Sequence, residues 1–481
     1  MGKKKECIFK ITQYQPNDEV TSSSIMVEVD GLKILMDLGL SQDSCSTFPQ
    51  LYHKNMQKIQ SIPFDELDYL IIQHSHYDHC MYAIAYANGF NGITIATELT
   101  TELSKINMED AYSINNKDIS RYGADKYKHY FKLEDIDMAI ENTRCYNYDQ
   151  KIKLSNHVTL ELLSACHLSG ASMSYLTYQD EHQTKHLLYT SDITFGHKQS
   201  RPFTMRIKDR KLKVDVLIME ATYGLRDREV FDESISTIKY LEDVILKEVV
   251  GKNQILFIPS FAIHRSTEIY YYLNEAFKNP KIKEANVPVY FCGKLMEKAH
   301  RIIGKRENFC YYDEEWQDKR EIWETQPFGF ITNVHGDLDN FCKNNSRKIV
   351  VSSSGMMNQG MSALLSKYYI PNKKVTILSC GYMAENSLGW QIKQRQESVV
   401  LNGEKLTNRC FYHSQIPHLS GHANHQGLID FVKSLNQTVL KDVILVHGTD
   451  KAKQELKEDL EKEISSNKNI HIIKQFQTLK F

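Results

Sequence analysis

The chain has 481 residues, of which 41% are hydrophobic and 25% are charged, and its formal net charge at pH 7 is −1. These proportions are ordinary for a soluble globular protein, and no apolar run approaches the roughly 18 residues of a membrane-spanning helix. A chain of this length predicts two or three domains. Because the net charge is close to zero, a nucleic-acid site would need a local basic lining.

The cysteines and the N-terminus indicate an intracellular protein. The 10 cysteines are scattered without a Cys-x-x-Cys pair, which argues against a disulfide framework and against a thiolate zinc site. The basic start at 1–6 leads into an alternating segment and lacks the apolar core of a signal peptide. We therefore expect reduced thiols and a cytoplasmic protein, or a nuclear one in a eukaryote.

Asp37 is the first acid that follows an apolar segment directly, and Gly39 comes shortly after it. On its own, such an aspartate could simply begin a turn. Beside a metal site, it would orient a metal ligand through a hydrogen bond.

The densest group of functional side chains lies at 74–79, in the order His-x-His-x-Asp-His, directly after an apolar run. A buried strand that ends in a loop presents side chains at its tip, so His74 and His76 can share one metal while Asp78 and His79 reach a second. Neutral imidazole nitrogen and carboxylate oxygen suit zinc best. The alternative is a polar surface turn that happens to hold histidines.

Three later apolar segments are also followed by, or end in, a polar residue. These residues are His167, Asp192 and Glu220. A lone histidine at a strand end is more often structural than a ligand. Aspartate, however, is depleted in strands, and the repetition of this format makes coincidence a weak explanation. Six basic residues at 201–213 are interpreted as a solvated hairpin.

From about 224 the pattern changes to a regular alternation of strands and helices, which favours an α/β layer with a parallel sheet. The strand at 348–352 runs into Ser353, Ser354, Gly355 and Met356. Exposed amides and hydroxyls in such a turn can hold phosphate oxygens, although a plain turn is equally consistent with the pattern. After 418 the earlier pattern returns, with His422 before a helix and His447 after a strand.

In this order, Asp37, the cluster at 74–79, His167 and Asp192 resemble the metallo-β-lactamase superfamily. Three further segments are similar to motifs A, B and C of the β-CASP nucleases in this superfamily. They are Glu220-Ala221-Thr222-Tyr223-Gly224, Ser420-Gly421-His422 and Val446-His447-Gly448. Ser354-Gly355-Met356-Met357 and Gly381-Tyr382 are similar to the cleavage and polyadenylation branch, whereas 418–423 is more similar to RNase J. The resemblance covers nearly the whole chain.

The resemblance implies an αββα sandwich of 1–223 and 418–481, into which a β-CASP α/β domain of 224–417 is inserted. It implies two zinc ions per chain. One would be held by His74, His76 and His167, and the other by Asp78, His79 and His447. Asp192 would bridge the two ions, and Asp37 would orient a ligand.

The resemblance also implies a two-metal ribonuclease that acts on single-stranded RNA. In this hypothesis Asp78 or Asp192 orients the attacking water, and His422 assists the leaving oxygen while Glu220 holds its tautomer. Ser353, Ser354, Gly355, Met356, Ser420 and Gly421 are the candidate substrate-binding residues. Ser191, Met81 and Asn424 depart from the residues usual in the family, which puts fine substrate positioning in doubt.

Several alternatives stay open at this point. A small-molecule hydrolase of the same superfamily would explain the first 200 residues but not the inserted domain. A DNA nuclease would share the motifs, although DNA-processing relatives lack the motif C histidine, which here is His447. A non-catalytic scaffold subunit would be expected to have lost ligands. The motifs do not separate endonucleolytic from 5′-to-3′ exonucleolytic cleavage, nor a homodimer from pairing with a paralogous subunit.

Overall fold

The computed structural model describes residues 8–42, 46–196, 201–226, 234–332, 338–381, 383–464 and 467–481. The chain forms two compact units. Unit 1 comprises Met1–Glu229, Cys310–Asp313 and Gly421–Phe481, and unit 2 comprises Val230–Phe309 and Glu314–Ser420. The predicted breaks at 224 and 418 compare with observed breaks at 230 and 421. The return of Cys310–Asp313 to unit 1 was not predicted.

Unit 1 contains two seven-stranded sheets. The first sheet has the order β22-β1-β2-β3-β4-β5-β6, with the strands β1 (Lys10–Gln13), β2 (Ile25–Val29), β3 (Leu32–Met36), β4 (Tyr69–Ile71), β5 (Ile93–Ala96), β6 (Thr143–Cys145) and β22 (Thr478–Lys480). The second sheet has the order β21-β20-β11-β10-β9-β8-β7, with the strands β7 (Lys151–Lys153), β8 (Val158–Ser164), β9 (Ser172–Gln179), β10 (Thr184–Tyr189), β11 (Val216–Glu220), β20 (Asp442–Val446) and β21 (Asn469–Ile472).

The two sheets of unit 1 pack face to face through one apolar core. Val27, Ile34 and Ile71 of the first sheet share this core with Leu160 and Ile218 of the second. Each fully buried aliphatic side chain contributes about 1.5–3 kcal/mol relative to exposure. The shared core therefore fixes the two sheets against each other.

Helices cover the outer faces of both sheets in unit 1, each over its own apolar cluster. They are α1 (Phe48–Ser61), α2 (Ala83–Ala87), α3 (Glu98–Tyr122), α4 (Leu133–Glu141), α14 (His425–Ser434) and α15 (Asp450–Glu463), with a 3₁₀ turn at Phe64–Glu66. The layers therefore run helix, sheet, sheet, helix, which confirms the predicted αββα sandwich.

Unit 2 is built on a six-stranded sheet of order β14-β13-β15-β12-β16-β19, in which every pair is parallel. Its strands are β12 (Ile255–Pro259), β13 (Val289–Cys292), β14 (Gly329–Ile331), β15 (Lys348–Ser352), β16 (Val375–Ser379) and β19 (Phe411–Gln415), beside a hairpin of β17 (Ser398–Leu401) and β18 (Glu404–Thr407). The parallel sheet confirms the prediction drawn from strand and helix alternation.

The helices of unit 2 are mostly short. They are α5 (Thr237–Val244), α6 (Arg265–Ala276), α7 (Pro280–Ala285), α8 (Lys294–Ile303), α9 (Glu314–Gln317), α10 (Glu321–Thr325), α11 (Leu338–Lys343), α12 (Gly360–Tyr369) and α13 (Leu388–Lys393), with a π-helix at Ile245–Gly251 and a 3₁₀ helix at Arg306–Tyr311. Within the described ranges, no helix of either unit is long and apolar enough to cross a bilayer. The eight described cysteines are free thiols.

Candidate metal centre

The candidate metal centre lies where strands of both sheets of unit 1 end. Asp37 and His447 directly follow β3 and β20, and Glu220 ends β11. His74, His167 and Asp192 each stand three positions after the last residue of β4, β8 and β10. Four residues at these tips have left-handed backbone although they are not glycine, namely Asp37, Cys166, Ser191 and His447. Such residues cost of order 1–3 kcal/mol and persist only where the surroundings hold them in place.

One set of imidazoles, which we call the first ligand group, consists of His74, His76 and His167. The Nε2 atom of His167 lies 3.2 Å from Nδ1 of His76. The other ring nitrogen of His167 lies 2.5 Å from the carbonyl oxygen of Gly421. Because a carbonyl can only accept, the proton lies on Nδ1 and Nε2 presents a lone pair to the group.

Asp78, His79 and His447 form the second ligand group. The Nε2 atoms of the two histidines lie 3.2 Å apart, and the Asp78 carboxylate lies 3.8 Å from His79 and 3.6 Å from His447. The ligand atoms of this group lie within 4.8 Å of one another. His79 and His447 come from opposite ends of the chain, so only the fold assembles this group.

Asp192 lies between the two groups. Its Oδ2 atom is 3.6 Å from Nε2 of His74, 3.6 Å from Nε2 of His167 and 3.4 Å from Nε2 of His79. Its Oδ1 atom is 3.1 Å from Nδ1 of His447. One carboxylate therefore reaches ligands of both groups, which is the arrangement expected of a bridging ligand.

The donor set fits a divalent cation in each group. Among the described residues, the buried Nε2 atom of His74 has no hydrogen-bond partner. Buried polar atoms are rarely left in this state unless an ion or water completes them. Imidazole nitrogens and carboxylate oxygens that converge on one point match the ligands of zinc and related metals.

The electrostatics of the two groups differ. Burial lowers the pKa of His74 and of His167 well below the usual value, and that of His76 to about 3. These imidazoles are therefore neutral at pH 7 and can donate lone pairs. Burial also acts to lower the pKa of His79, but the surrounding aspartates outweigh it and raise that pKa well above its usual value. The aspartates around His79 therefore provide negative charge that favours a cation at the second ligand group.

Asp37 contacts His79 on the side of the ring away from the second ligand group. Its Oδ2 atom lies 2.8 Å from Nδ1 of His79 and accepts hydrogen bonds from the hydroxyls of Tyr189, at 3.0 Å, and Ser191, at 2.9 Å. The backbone amide of Gln73 donates to the other oxygen at 2.9 Å. This fully buried carboxylate fixes the His79 ring and leaves its Nε2 atom facing the group.

His422 and Glu220 form a pair beside Asp192. The Nδ1 atom of His422 lies 2.9 Å and 3.1 Å from the two carboxylate oxygens of Glu220. Glu220 also accepts a 2.7 Å hydrogen bond from the amide of Ile193, which fixes its orientation. The Glu220 side chain is fully buried, whereas His422 keeps 19% of its side-chain surface exposed. The imidazole is thus held by a carboxylate on one side and remains partly exposed.

The candidate substrate-binding residues fall in both units. Gly421 lies in unit 1, and a Cβ atom added there would come within 2.9 Å of the His167 ring. The four residues at 353–356 lie in unit 2 and follow β15 at the carboxyl edge of its parallel sheet. Ser420 also belongs to unit 2. Tyr382, part of a motif quoted for the resemblance, lies outside the described residues.

The three departures from the family pattern have local explanations. Ser191 replaces a glycine at a residue with φ of 50°, and its hydroxyl bonds to Asp37. Met81 is fully buried in the core beneath α1–α4. Asn424 caps α14 by accepting a hydrogen bond from the Gly427 amide at 2.7 Å. None of the three removes a donor from either ligand group.

The sequence interpretation was wrong about Arg201. Residues 201–213 form no hairpin, and Arg201 is buried with its guanidinium bonded to the carbonyl oxygen of His167. The interpretation also overlooked Thr222, whose hydroxyl lies 3.0 Å from Nδ1 of His447. Thr222 lies close to Glu220 in the sequence, and this proximity could have identified it as a residue of the site.

A buried lysine on α1, Lys58, was overlooked as well. Its ammonium donates to the carbonyl oxygen of Ser22 at 3.0 Å, to the Ser22 hydroxyl at 2.9 Å and to the carbonyl oxygen of Gly39 at 2.5 Å. The segment around Ser22 in turn contacts the loop of the second ligand group, because the amide of Ser23 donates to the carbonyl oxygen of Asp78 at 2.9 Å. A Cβ atom at Gly39 would lie only 1.6 Å from that oxygen, so the backbones are in close contact.

Three sequence families match consecutive parts of the chain. They are a metallo-beta-lactamase superfamily domain at 26–202, a Beta-Casp domain at 266–392 and a Zn-dependent metallo-hydrolase RNA specificity domain at 413–473. A solved structure from Enterococcus faecalis V583, described as a protein of unknown function, shares the fold with a TM-score of 0.56 at 11% identity. It covers 98% of this chain and 100% of that one.

Named relatives align over most of the chain. Cleavage and polyadenylation specificity factor 73 of Drosophila melanogaster is 25% identical, over 97% of this chain and 63% of the relative. The transcription termination factor FttA of Methanothermobacter thermautotrophicus is 25% identical, over 89% and 65%. An RNase J-like protein of Methanocaldococcus jannaschii is 25% identical, over 89% and 90%. The chain thus spans somewhat less than two thirds of the first two relatives.

The αββα sandwich with ligands at its strand tips defines a metallo-β-lactamase fold. With the matched domain at 266–392, the chain belongs to the β-CASP family of that superfamily.

Proposed function

We propose that the protein is a zinc-dependent ribonuclease that hydrolyses phosphodiester bonds of single-stranded RNA with two metal ions per chain. The observation that carries the proposal is Asp192, whose carboxylate lies within 3.6 Å of histidines from both ligand groups. Two cations that share a carboxylate are the usual arrangement for hydrolysis of phosphate esters. RNA is favoured because relatives named as RNA-processing proteins align over most of the chain.

Bound zinc would supply Lewis-acid chemistry, neutralising charge on the scissile phosphate and activating a water molecule. The chain's own residues supply positioning and proton transfer. Asp78 and Asp192 are placed to orient the attacking water by accepting its hydrogen bonds. Asp37 holds the His79 ring in the orientation that the second ligand group requires.

His422 is the proposed general acid. The Glu220 carboxylate accepts a hydrogen bond from Nδ1–H, which orients the ring so that Nε2 can deliver a proton to the leaving oxygen. Glu220 acts as a positioning residue in this scheme. Six residues are proposed to contact substrate phosphates through amides and hydroxyls, namely Ser353, Ser354, Gly355, Met356, Ser420 and Gly421.

The test combines metal analysis with cleavage of one labelled sequence, prepared both as single-stranded RNA and as DNA. We expect two zinc ions per chain and a preference for RNA. His76→Ala should lose metal and activity together. His422→Ala should keep both metals while turnover falls by about 10²–10⁴-fold, the usual contribution of a positioned acid.

Several outcomes would contradict parts of this proposal. Unimpaired cleavage by His422→Ala would remove the proposed acid, and a chain that binds no metal would indicate a scaffold subunit. Equal cleavage of DNA would favour the DNA-nuclease alternative. Substrates with a 5′-hydroxyl, 5′-monophosphate or 5′-triphosphate would separate endonucleolytic from 5′-to-3′ exonucleolytic cleavage. Location in the cytoplasm or nucleus, and a homodimer or paralogous partner, stay predictions.

A further inference from the structure

A cluster of aromatic rings in unit 1 contains none of the residues of the two ligand groups. It is formed by the start of α1, the end of α3 and the segment that follows α3. We call it the aromatic platform, and it consists of Phe48, Tyr52, His53, Tyr122, Tyr127 and Tyr130. Phe48 stacks on Tyr122 with a centroid distance of 5.4 Å and an interplanar angle of 28°. Tyr52 stacks on Tyr130 at 5.3 Å and 26°.

Part of the platform faces solvent. Tyr122 is 37% exposed, His53 is exposed, and Phe48 and Tyr127 are partly buried. Tyr127 contacts Phe48 at 5.3 Å and Tyr52 at 5.0 Å, both nearly edge to face. These contacts hold the exposed rings in place, so little side-chain entropy would be lost when a ligand stacks on them.

Exposed cations surround the platform. Lys117, Arg121, Lys126 and Lys128 are all exposed, and within the part of the chain that the structure describes none forms an ion pair. The Arg121 guanidinium lies 5.5 Å from the centroid of the Tyr122 ring. Residues 117–128 contain these four cations and two aspartates, a local charge of +2, in a chain whose net charge is −1.

The platform adjoins the loop that carries the metal ligands. Tyr77 lies between His76 and Asp78, and it packs with Tyr130 against the same apolar cluster. The aromatic platform and the ligand loop are therefore supported by the same apolar cluster of unit 1.

We propose that the aromatic platform binds single-stranded RNA outside the reaction centre, with bases stacked on Tyr122 and its neighbours and phosphates held by Lys126 and Lys128. Aromatic faces combined with unpaired cations are the features by which proteins bind single strands without reading sequence. Since double-stranded RNA hides its base faces, the platform favours a single strand. The identity of the ligand as RNA rests on the proposed function.

The test measures binding of a labelled 20-nucleotide oligouridylate by fluorescence anisotropy at several salt concentrations, in the His422→Ala background to prevent turnover. Each phosphate contact to a single strand contributes about 0.7 to the slope of log Kd against log salt. Lys126→Gln with Lys128→Gln should therefore weaken binding and reduce that slope by about 1.4. Tyr122→Ser should weaken binding roughly tenfold without changing the slope, because stacking releases no counterions.

The matched control is Lys151→Gln with Lys153→Gln. These lysines are exposed on β7 at the same spacing as Lys126 and Lys128, in the same unit, and no aromatic contact of the described residues involves them. The control should leave both the affinity and the slope unchanged. Thermal unfolding of each variant would show that the fold is retained.

If the platform variants bind like the control, the proposal is overturned and the surface would be assigned to a protein partner instead. Failure of the proposed function would give a different result. Hydrolysis of bis(p-nitrophenyl) phosphate, a substrate too small to reach the platform, tests the metal centre of the unaltered protein separately.

Discussion

The two ligand groups of the candidate metal centre differ in how the chain supports them. The first ligand group consists of imidazoles that burial keeps neutral, and a backbone carbonyl orients one of them. The second contains the Asp78 carboxylate and has Asp37 directly behind His79. The first group can therefore bind a cation through lone pairs alone. The second also uses the charge of a carboxylate and depends on the hydrogen bond from Asp37 that orients His79.

The largest effect is expected for Asp192→Ala, because this carboxylate contacts both groups. We expect loss of both cations and a fall of RNA cleavage to background. Metal analysis after dialysis, with a cleavage assay on the same sample, measures both. If the variant keeps one cation per chain, Asp192 belongs to a single group and does not bridge.

Asp37→Asn should affect the second ligand group alone. An amide cannot accept from His79, Tyr189 and Ser191 together, so the His79 ring loses its orientation. Changes of this kind lower metal affinity by about 10–100-fold. Competition titration with a chelating dye should show one weakened and one unchanged site. Equal weakening of both sites would show that the groups do not act separately.

Lys58→Met should weaken the second site by a smaller factor, about tenfold, because the lysine acts on Asp78 only through the backbones of Ser22 and Gly39. Loss of the ammonium leaves buried carbonyl groups without a donor, which costs about 1–3 kcal/mol of unfolding free energy for each group. Chemical denaturation measures that loss, and the dye titration measures the cation affinity.

Lys348→Met is the matched control for this change. Lys348 is also buried, and its ammonium donates to the carbonyl oxygens of Phe341 at 2.5 Å and Asn344 at 2.8 Å, but it lies in unit 2. Lys348→Met should lower the free energy of unfolding by a similar amount without changing the cation affinity of either site. If both variants weaken the second site equally, general destabilisation explains the effect and Lys58 has no specific role.

The smallest effect is expected for Ser191→Gly. Glycine relieves the left-handed backbone at φ of 50° but removes the 2.9 Å hydrogen bond to Asp37. The two contributions are each about 1 kcal/mol and opposite in sign, so unfolding free energy should change by less than about 1 kcal/mol. A loss of affinity as large as that of Asp37→Asn would show that the Ser191 hydroxyl, and not the carboxylate alone, orients His79.

Strand tips were the part of this molecule that sequence patterns predicted best. Asp37, His74 and Asp192 each stand directly or shortly after a buried strand, since an apolar run followed by a polar residue is a local signal. The alternation of strands and helices predicted from about 224 is present, and it includes α6 (Arg265–Ala276). The π-helix that continues α5 is not distinguished from an α-helix by such a pattern.

Burial of charged side chains was not predictable in the same way. Arg201 and Lys58 look like surface residues in the sequence, because their partners are backbone carbonyls of segments far away in the chain. The 25-residue helix α3 gave no amphipathic signal that drew attention to it. Such features depend on tertiary contacts, which composition and periodicity do not encode.

The assembly of the centre from both ends of the chain has a consequence for synthesis on the ribosome. Glu220 and Thr222 precede unit 2, whereas their partners His422 and His447 follow it. A nascent chain that has emerged only as far as residue 420 lacks both histidines. The proposed ribonuclease activity would therefore arise only after both histidines have been added to the nascent chain.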